Sequence, residues 1–300
     1  MALSDEAAAK TQCNTAEGPS RSWVVESPER LEIFLLARMP NVSRESLRRA
    51  LARGACEVDG VMRHFGFRLG AGARVELHPA TRLTEVPPEQ IPLEILYEDD
   101  QLIAINKPSG MLVHPTSHER MGTVVNALRG MGYSGAHILH RLDRATSGVL
   151  LAAKALPRHS PLAGMFQLRQ VEKKYLAIAA GLVDWTERVV DLPIGRDPER
   201  FPPWNVSPGG AEAQTFLRVL ERGNGWAFLE AEPVTGRTNQ IRIHCAAIGC
   251  PLVGDAVYGG VASTRLMLHA LSLRFPLLDG GMREVVAARP VEFALFTGVR

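Results

Sequence analysis

The sequence predicts an α+β protein in which a small αα-β module precedes a larger, strand-rich domain. Three observations carry this. From residue 93 onward, short β-type runs between Gly/Pro turns dominate, with few helical patterns among them. The regular βα alternation of a doubly wound sheet is missing. A proline-rich stretch with Pro79, Pro87, Pro88 and Pro92 separates these runs from an N-terminal part with helical periodicity.

The elements follow in chain order. Residues 1–22 mix Asp5, Glu6, Lys10 and Glu17 with small and polar types and have no apolar core, so they predict a disordered tail rather than a signal or transit peptide. Residues 28–78 form the predicted module. Leu31, Phe34 and Leu35, then Leu47, Ala50 and Leu51, fall at helical spacing, with Ser43 at an N-cap and Gly54 at a C′ position. Cys56 to Val58, Asp59-Gly60 and Val61 read as strand, turn and strand. Residues 79–92 are the predicted stiff linker and 93–300 the predicted second domain. Its strands are expected at Ile95–Tyr97, Leu102–Asn106, Val149–Ala153, Tyr175–Ala179, Ala213–Leu220, Trp226–Ala231 and Leu266–Leu271. The two runs flanking Gly223-Asn224-Gly225 should pair as an antiparallel hairpin.

Composition sets the class. A hydrophobic fraction of 46% with 22% charged residues is ordinary for a globular chain. No apolar run reaches the roughly 18 residues of a membrane helix. Cys13, Cys56, Cys245 and Cys250 lack CxxC spacing and read as free thiols of the cytoplasm. Lys and Arg total 34 against 32 Asp and Glu, so a nucleic-acid partner must be met by local clustering. Arg44, Arg48, Arg49 and Arg53, with Glu45 as the lone acid, supply such a cluster on the second predicted helix.

The segment ILHRLDRATSGVLLAAK (138–154) is a charge-dense loop running into an apolar strand. Asp143 lies between Arg141 and Arg144, and cations on both sides favour its ionised form. Taken alone, Asp143 also fits a solvated surface acid, Tyr175 a core tyrosine and Arg242 a surface arginine. Metal-ligand spacing is weak: Cys245 and Cys250 beside His244, or His114 with His118, have no second half.

HRLDRATSG resembles the HRLDxxTSG motif of the RluA-type pseudouridine synthases. NKPSGMLVHP (106–115), EKKYLAIAAG (172–181), TGRTNQIRIH (235–244), GCPLVGDAVYGG and LHALSL resemble further family motifs in order, across residues 93 to about 276. Residues 29–78 resemble the S4-type RNA-binding module that many members carry. The resemblance implies a pseudouridine synthase fold, a mixed and largely antiparallel sheet with a central cleft. It implies isomerisation of uridine to pseudouridine in RNA, without a cofactor; no metal is expected from the ligand spacing, and a monomer is expected. Large-subunit ribosomal RNA is the first expected target and transfer RNA the second.

By the same resemblance, Asp143 is the essential acid. Tyr175 packs against the target base, Arg242 ion-pairs with the catalytic carboxylate, and Arg141 fills the gap left by the flipped nucleotide. Asn239 stands where the family usually has His, and Asn keeps both a donor and an acceptor. The loop RDPERFPPWNVSPGG (196–210), with Arg196, Arg200 and four prolines, is less basic than in relatives, so target choice is expected to differ. Two rival readings are a catalytically silent RNA-binding or ribosome-assembly factor and a nucleoside hydrolase. The hydrolase would need an activated water and a second carboxylate or metal.

Overall fold

The computed structural model describes residues 21–40, 42–78, 86–116, 119–155, 164–277 and 279–297. The chain divides into two compact units, Met1–Glu85 and Val86–Arg300. Residues 1–20 of the expected tail and 79–85 of the expected linker lie outside the described residues.

In the first unit, strand β1 (Arg21–Val24) starts within the stretch expected as tail, because its backbone pairs antiparallel with β6 (Arg74–Leu77). β2 (Glu29–Arg30) leads into helices α1 (Leu31–Arg38) and α2 (Arg44–Ala52). Strands β3 (Cys56–Val58), β4 (Val61–Met62) and β5 (Arg68–Leu69) follow; β1, β6, β3 and β4 form one sheet, and β2 pairs β5. Leu31, Phe34, Leu35, Leu47 and Leu51 are fully buried against Val58 and Val75, so the helical spacing of the apolar residues is a core-facing stripe. Ser43 Oγ accepts from Ser46 N at 3.1 Å, and Gly54 leaves α2 at φ 76°. Asp59 and Gly60, at φ 51° and 75°, make the twist-matched hairpin turn between β3 and β4.

The second unit is built on a ten-stranded mixed sheet, with helices α3 (Val124–Gly130) and α4 (Gln240–Ala247) over its core and a short helix, α5 (Ala294–Thr297), near the end of the described residues. Its strands are β7 (Glu94–Glu98), β8 (Leu102–Lys107), β9 (His137–Ile138), β10 (Ser147–Ala153), β11 (Glu172–Ala180), β12 (Glu187–Asp191), β15 (Gln214–Gly223), β16 (Trp226–Pro233), β17 (Leu268–Pro276) and β18 (Met282–Val286). A separate hairpin pairs β13 (Ile194–Arg196) with β14 (Trp204–Val206). Along the sheet the order is β12-β15-β16-β11-β17-β10-β8-β7, with β18 beside β17 and β9 beside β10. Among the described residues, every pairing in this sheet is antiparallel except β10 with β17.

β15 and β16 form the hairpin expected around Gly223–Gly225. β17 begins at Leu268 rather than Leu266, because the backbone of Met267 bonds Val253 O at 2.9 Å and Ile178 N at 3.1 Å outside the ladder. Residues 86–92 of the expected linker are held on α3. Val86 O accepts from Arg129 Nη1 (2.7 Å), Pro87 O from Asn126 Nδ2 (2.9 Å), and Glu89 Oε2 from Gly122 N (2.5 Å). No helix among the described residues is long and apolar enough to cross a membrane.

Candidate active site

The loop bearing Asp143 is fixed at both ends. On one side it enters β10 through Gly148, whose φ of +111° is open to glycine alone. A Cβ there would come within 2.1 Å of Ala270 O, so the close parallel contact of β10 with β17 requires glycine. On that same side the loop is also clamped to residues 107–111, and on the side before Asp143 it is held by His140. Gly110 N donates to Arg144 O (2.8 Å), Arg144 Nε to Gly110 O (2.9 Å) and Ser109 Oγ to Ala145 O (2.7 Å). Fully buried Lys107 crosses the junction, donating from Nζ to Pro108 O (2.8 Å), Met111 O (2.9 Å) and Arg144 O (3.1 Å). Burial pulls its ammonium down to about 7 against the opposing field of Asp143. His140 steadies the same loop. Its Nε2 accepts from Leu151 N at 3.0 Å and its ring stacks on Phe166 at 4.6 Å; burial holds it neutral, down at about 3.

Asp143 is half-buried, and among the described residues its carboxyl has no hydrogen bond or ion pair within 4 Å. Burial pushes it above the ordinary carboxylate range, outweighing the fields of Arg242, Arg141 and Lys107, while Asp255 pushes the same way as burial. Arg141 favours its charge, as expected, but burial outweighs that field and sets the net direction. Arg141 is exposed, and Arg144 is turned away to Glu119 Oε2 at 2.7 Å. Tyr175 lies in β11 at a register shift after Lys174, with its ring in the main core. Burial and then the field of Asp143 push its hydroxyl well above the usual tyrosine range.

Arg242 departs from the expectation drawn from the resemblance. Its guanidinium forks onto Asp255, Nε to Oδ2 and Nη2 to Oδ1, both at 2.7 Å, rather than onto Asp143. Asp255 is 1% exposed and also accepts from the Val257 and Tyr258 amides at 3.2 Å. The physical reason is burial: a carboxylate out of water needs a bidentate cation, and Asp143 does not offer one so enclosed a place. Asn239, in the left-handed region at φ 56°, caps α4 and bridges outward. Its Oδ1 accepts from Arg242 Nη1 (2.8 Å) and its Nδ2 donates to Tyr258 Oη (3.1 Å), which donates to Trp204 O (2.9 Å). The start of α4 is pinned by Gln240, which bonds Thr235, Gln214 O and Thr215, and by His244, which bonds Thr215 and Leu192 O.

The second unit therefore brings Arg141, Tyr175 and Arg242 each within electrostatic reach of Asp143, with Asn239 bonded to Arg242. Sequence reasoning missed Lys107, Asp255 and Tyr258. The available signal was that the first two are charges set in apolar or small-residue runs, where burial demands a partner. A cavity of about 870 Å³ nearby is lined by Asn106, Arg144, Ser147, Arg265 and His269 among others, but not by Asp143, Tyr175 or Arg242.

Arg44, Arg48, Arg49 and Arg53 are all exposed in the first unit. At about 100° per residue, Arg44 and Arg48 run along one edge of the exposed arc of α2 and Arg49 and Arg53 along the other, with Glu45 between them. Glu45 is spent on Arg48, which donates to it at 3.1 and 3.3 Å. The 197–203 loop closes on itself, with Asp197 N bonded to Pro203 O at 2.7 Å, and leaves Phe201 85% exposed.

The family profile described as RNA pseudouridylate synthase matches residues 101–247. An uncharacterized RNA pseudouridine synthase of Aquifex aeolicus is 38% identical over 248 residues, 79% of this chain and 78% of that protein. Ribosomal large subunit pseudouridine synthase D of Pasteurella multocida is 34% identical over 290 residues, 88% of this chain and 89% of that protein. Among solved structures, human RNA pseudouridylate synthase domain containing 1 is similar, with a TM-score of 0.56 and 30% identity over 68% of this chain and 86% of that one. With relatives of this identity spanning most of both chains, the protein belongs to the RluA-type RNA pseudouridine synthases, isomerases that act on RNA.

Proposed function

We propose that the protein isomerises specific uridines in large-subunit ribosomal RNA, with Asp143 as the catalytic carboxylate and no cofactor. The observation that carries this is the state of Asp143: a half-buried carboxyl on a loop held before it by His140 and after it by Arg144 and Ala145, with its bonding capacity unspent. An acid enclosed in this way binds a substrate atom without first breaking a protein contact. In this reading the bond from ribose to N1 breaks, the base rotates, C5 is joined to the ribose and gives up its proton, and N1 takes up a proton, so that the product is an isomer. Tyr175 supports the base, Arg242 supplies positive field, Asn239 orients Arg242, and exposed Arg141 fills the gap left by the flipped nucleotide.

The first unit acts as an S4-type RNA-binding module, residues 28–78, through Arg44, Arg48, Arg49 and Arg53. The pseudouridine synthase domain proper is residues 93–300, and the enzyme works as a monomer in the cytoplasm. The large-subunit target is supported by the similarity to ribosomal large subunit pseudouridine synthase D of Pasteurella multocida. Mapping pseudouridines by chemical labelling and primer extension, in cells lacking the gene and rescued by wild type or Asp143→Ala, tests the whole reading. The expected result is a large-subunit site lost on deletion and restored by wild type alone. A lost site in transfer RNA would move the target, and restoration by Asp143→Ala would refute the catalytic assignment in favour of a binding factor.

A further inference from the structure

We propose that Asp255 is a positioning residue for the reaction: it holds Arg242 in place and sets how much of the arginine's charge reaches Asp143. The inference rests on the reading of Asp143 as the catalytic carboxylate. Arg242 has five N–H bonds to give. Nε and Nη2 each give one to Asp255, and Nη1 gives one to Asn239, which leaves two for the site. The pair is asymmetric in its surroundings, since the Asp255 side chain is wholly buried and that of Arg242 is 11% exposed. One end of the pair is thus sealed in the fold and the other is open. Asp255 is fixed in turn by the Val257 and Tyr258 amides, while Asn239, Tyr258 and Trp204 O brace the guanidinium from its other side.

The consequence is electrostatic. The charges that face Asp143 are Arg242 on α4, Arg141 on its own loop, Lys107 at the end of β8 and Asp255, with the hydroxyls of Tyr175, on β11, and Tyr258 also in its field. Asp255 takes the fork of Arg242 and offsets part of its field, so Asp143 remains a free carboxylate instead of being locked in an ion pair. Removing the charge of Asp255 would remove that opposing field and stabilise the ionised form of Asp143, which lowers both its proton affinity and its reactivity.

The test is Asp255→Asn, checked for folding by circular dichroism and read in two ways. In a carboxyl-carbon NMR titration, the Asp143 midpoint is expected to fall by about one pH unit, a tenfold change in proton affinity. In single-turnover kinetics at neutral pH, kcat is expected to fall about tenfold with KM within about twofold, and the acid limb of the kcat profile to move to lower pH. An Asp143 midpoint that stays put or rises in the folded variant overturns the proposal. Where Asp255→Asn does not fold, Asp255→Glu keeps the charge but displaces the guanidinium by one methylene; the same kcat loss at constant KM is expected, and wild-type kcat overturns the proposal. Asp143→Ala separates the two layers. If it retains turnover while Asp255→Asn still shifts the Asp143 midpoint, the catalytic assignment fails and the coupling stands; if it is inactive and the midpoint is unmoved, the coupling fails.

Discussion

Replacing Gly148 by alanine should disable the second unit through backbone geometry alone. At φ +111° an L-residue is strained by about 1–3 kcal/mol. The added Cβ would also lie 2.1 Å from Ala270 O and 2.7 Å from the carbonyl carbon and the amide nitrogen of Ala270, where real Cβ contacts essentially never fall below 3.0 Å. These are backbone atoms of the neighbouring strand, so β10 and β17 must separate by about the missing ångström. That puts at risk the two registered pairs, Ser147 with His269 and Gly148 with Ala270, and the 2.7 Å contact of Ser147 Oγ with His269 Nδ1. At about 0.5–1.5 kcal/mol per lost hydrogen bond, the total is about 3–5 kcal/mol, a large share of the 5–15 kcal/mol typical of a native protein. Urea unfolding followed by far-ultraviolet circular dichroism measures it. A loss below about 1 kcal/mol at unchanged m would refute the reasoning, because the parallel contact would then have to tolerate a side chain.

Three further outcomes are expected. Asp143→Asn should lower kcat/KM at least about a thousandfold and yet raise the melting temperature at neutral pH. The folded pKa of Asp143 lies above its ordinary value, so its ionisation costs stability above that value; the gain should shrink as pH approaches 3.8, and calorimetry at two pH values checks this. His140, ordinarily near 6.5 and held at about 3, binds fewer protons folded than unfolded, so it destabilises the fold as pH drops from 6.5 toward 3; His140→Gln should flatten that part of the stability curve in urea titrations. Replacing Arg44, Arg49 or Arg53 by Gln should reduce the slope of log affinity for RNA against log salt by about 0.7–0.9 per contact, with a smaller change for Arg48, which Glu45 already neutralises. Fluorescence anisotropy across a salt series reads this, and an unchanged slope would assign that face to solvation.

The sequence revealed most where structure is local. Ser43 and Gly54 bound α2 because capping is a matter of neighbouring residues, and the Gly223–Gly225 turn defines its hairpin for the same reason. It failed where neighbours in space differ from neighbours in sequence. Arg141 and Arg144 flank Asp143 in the chain, but one is exposed and the other is engaged by Glu119 and Gly110, so burial governs the carboxyl instead. The partner of Arg242 lies thirteen residues downstream in a run of small residues, where no periodicity marks it. Short edge elements such as β12 and the β13–β14 hairpin were missed because their apolar alternation spans too few positions to register.

The strap of residues 86–92 gives the proline-rich segment a second meaning. Proline has no amide hydrogen to give but keeps its carbonyl, and two of the strap's bonds to α3 come from carbonyls, those of Val86 and Pro87. Those carbonyls accept from the Asn126 amide nitrogen and the Arg129 guanidinium, while Glu89 N and Gln90 Nε2 donate back to the Asn126 and Gly130 carbonyls, so the strap meets both kinds of group on α3. A shortened protein starting at residue 93 would leave both groups facing a vacated groove. The smallest piece able to stand alone should accordingly begin at Val86, seven residues ahead of the first position that strand patterning would choose.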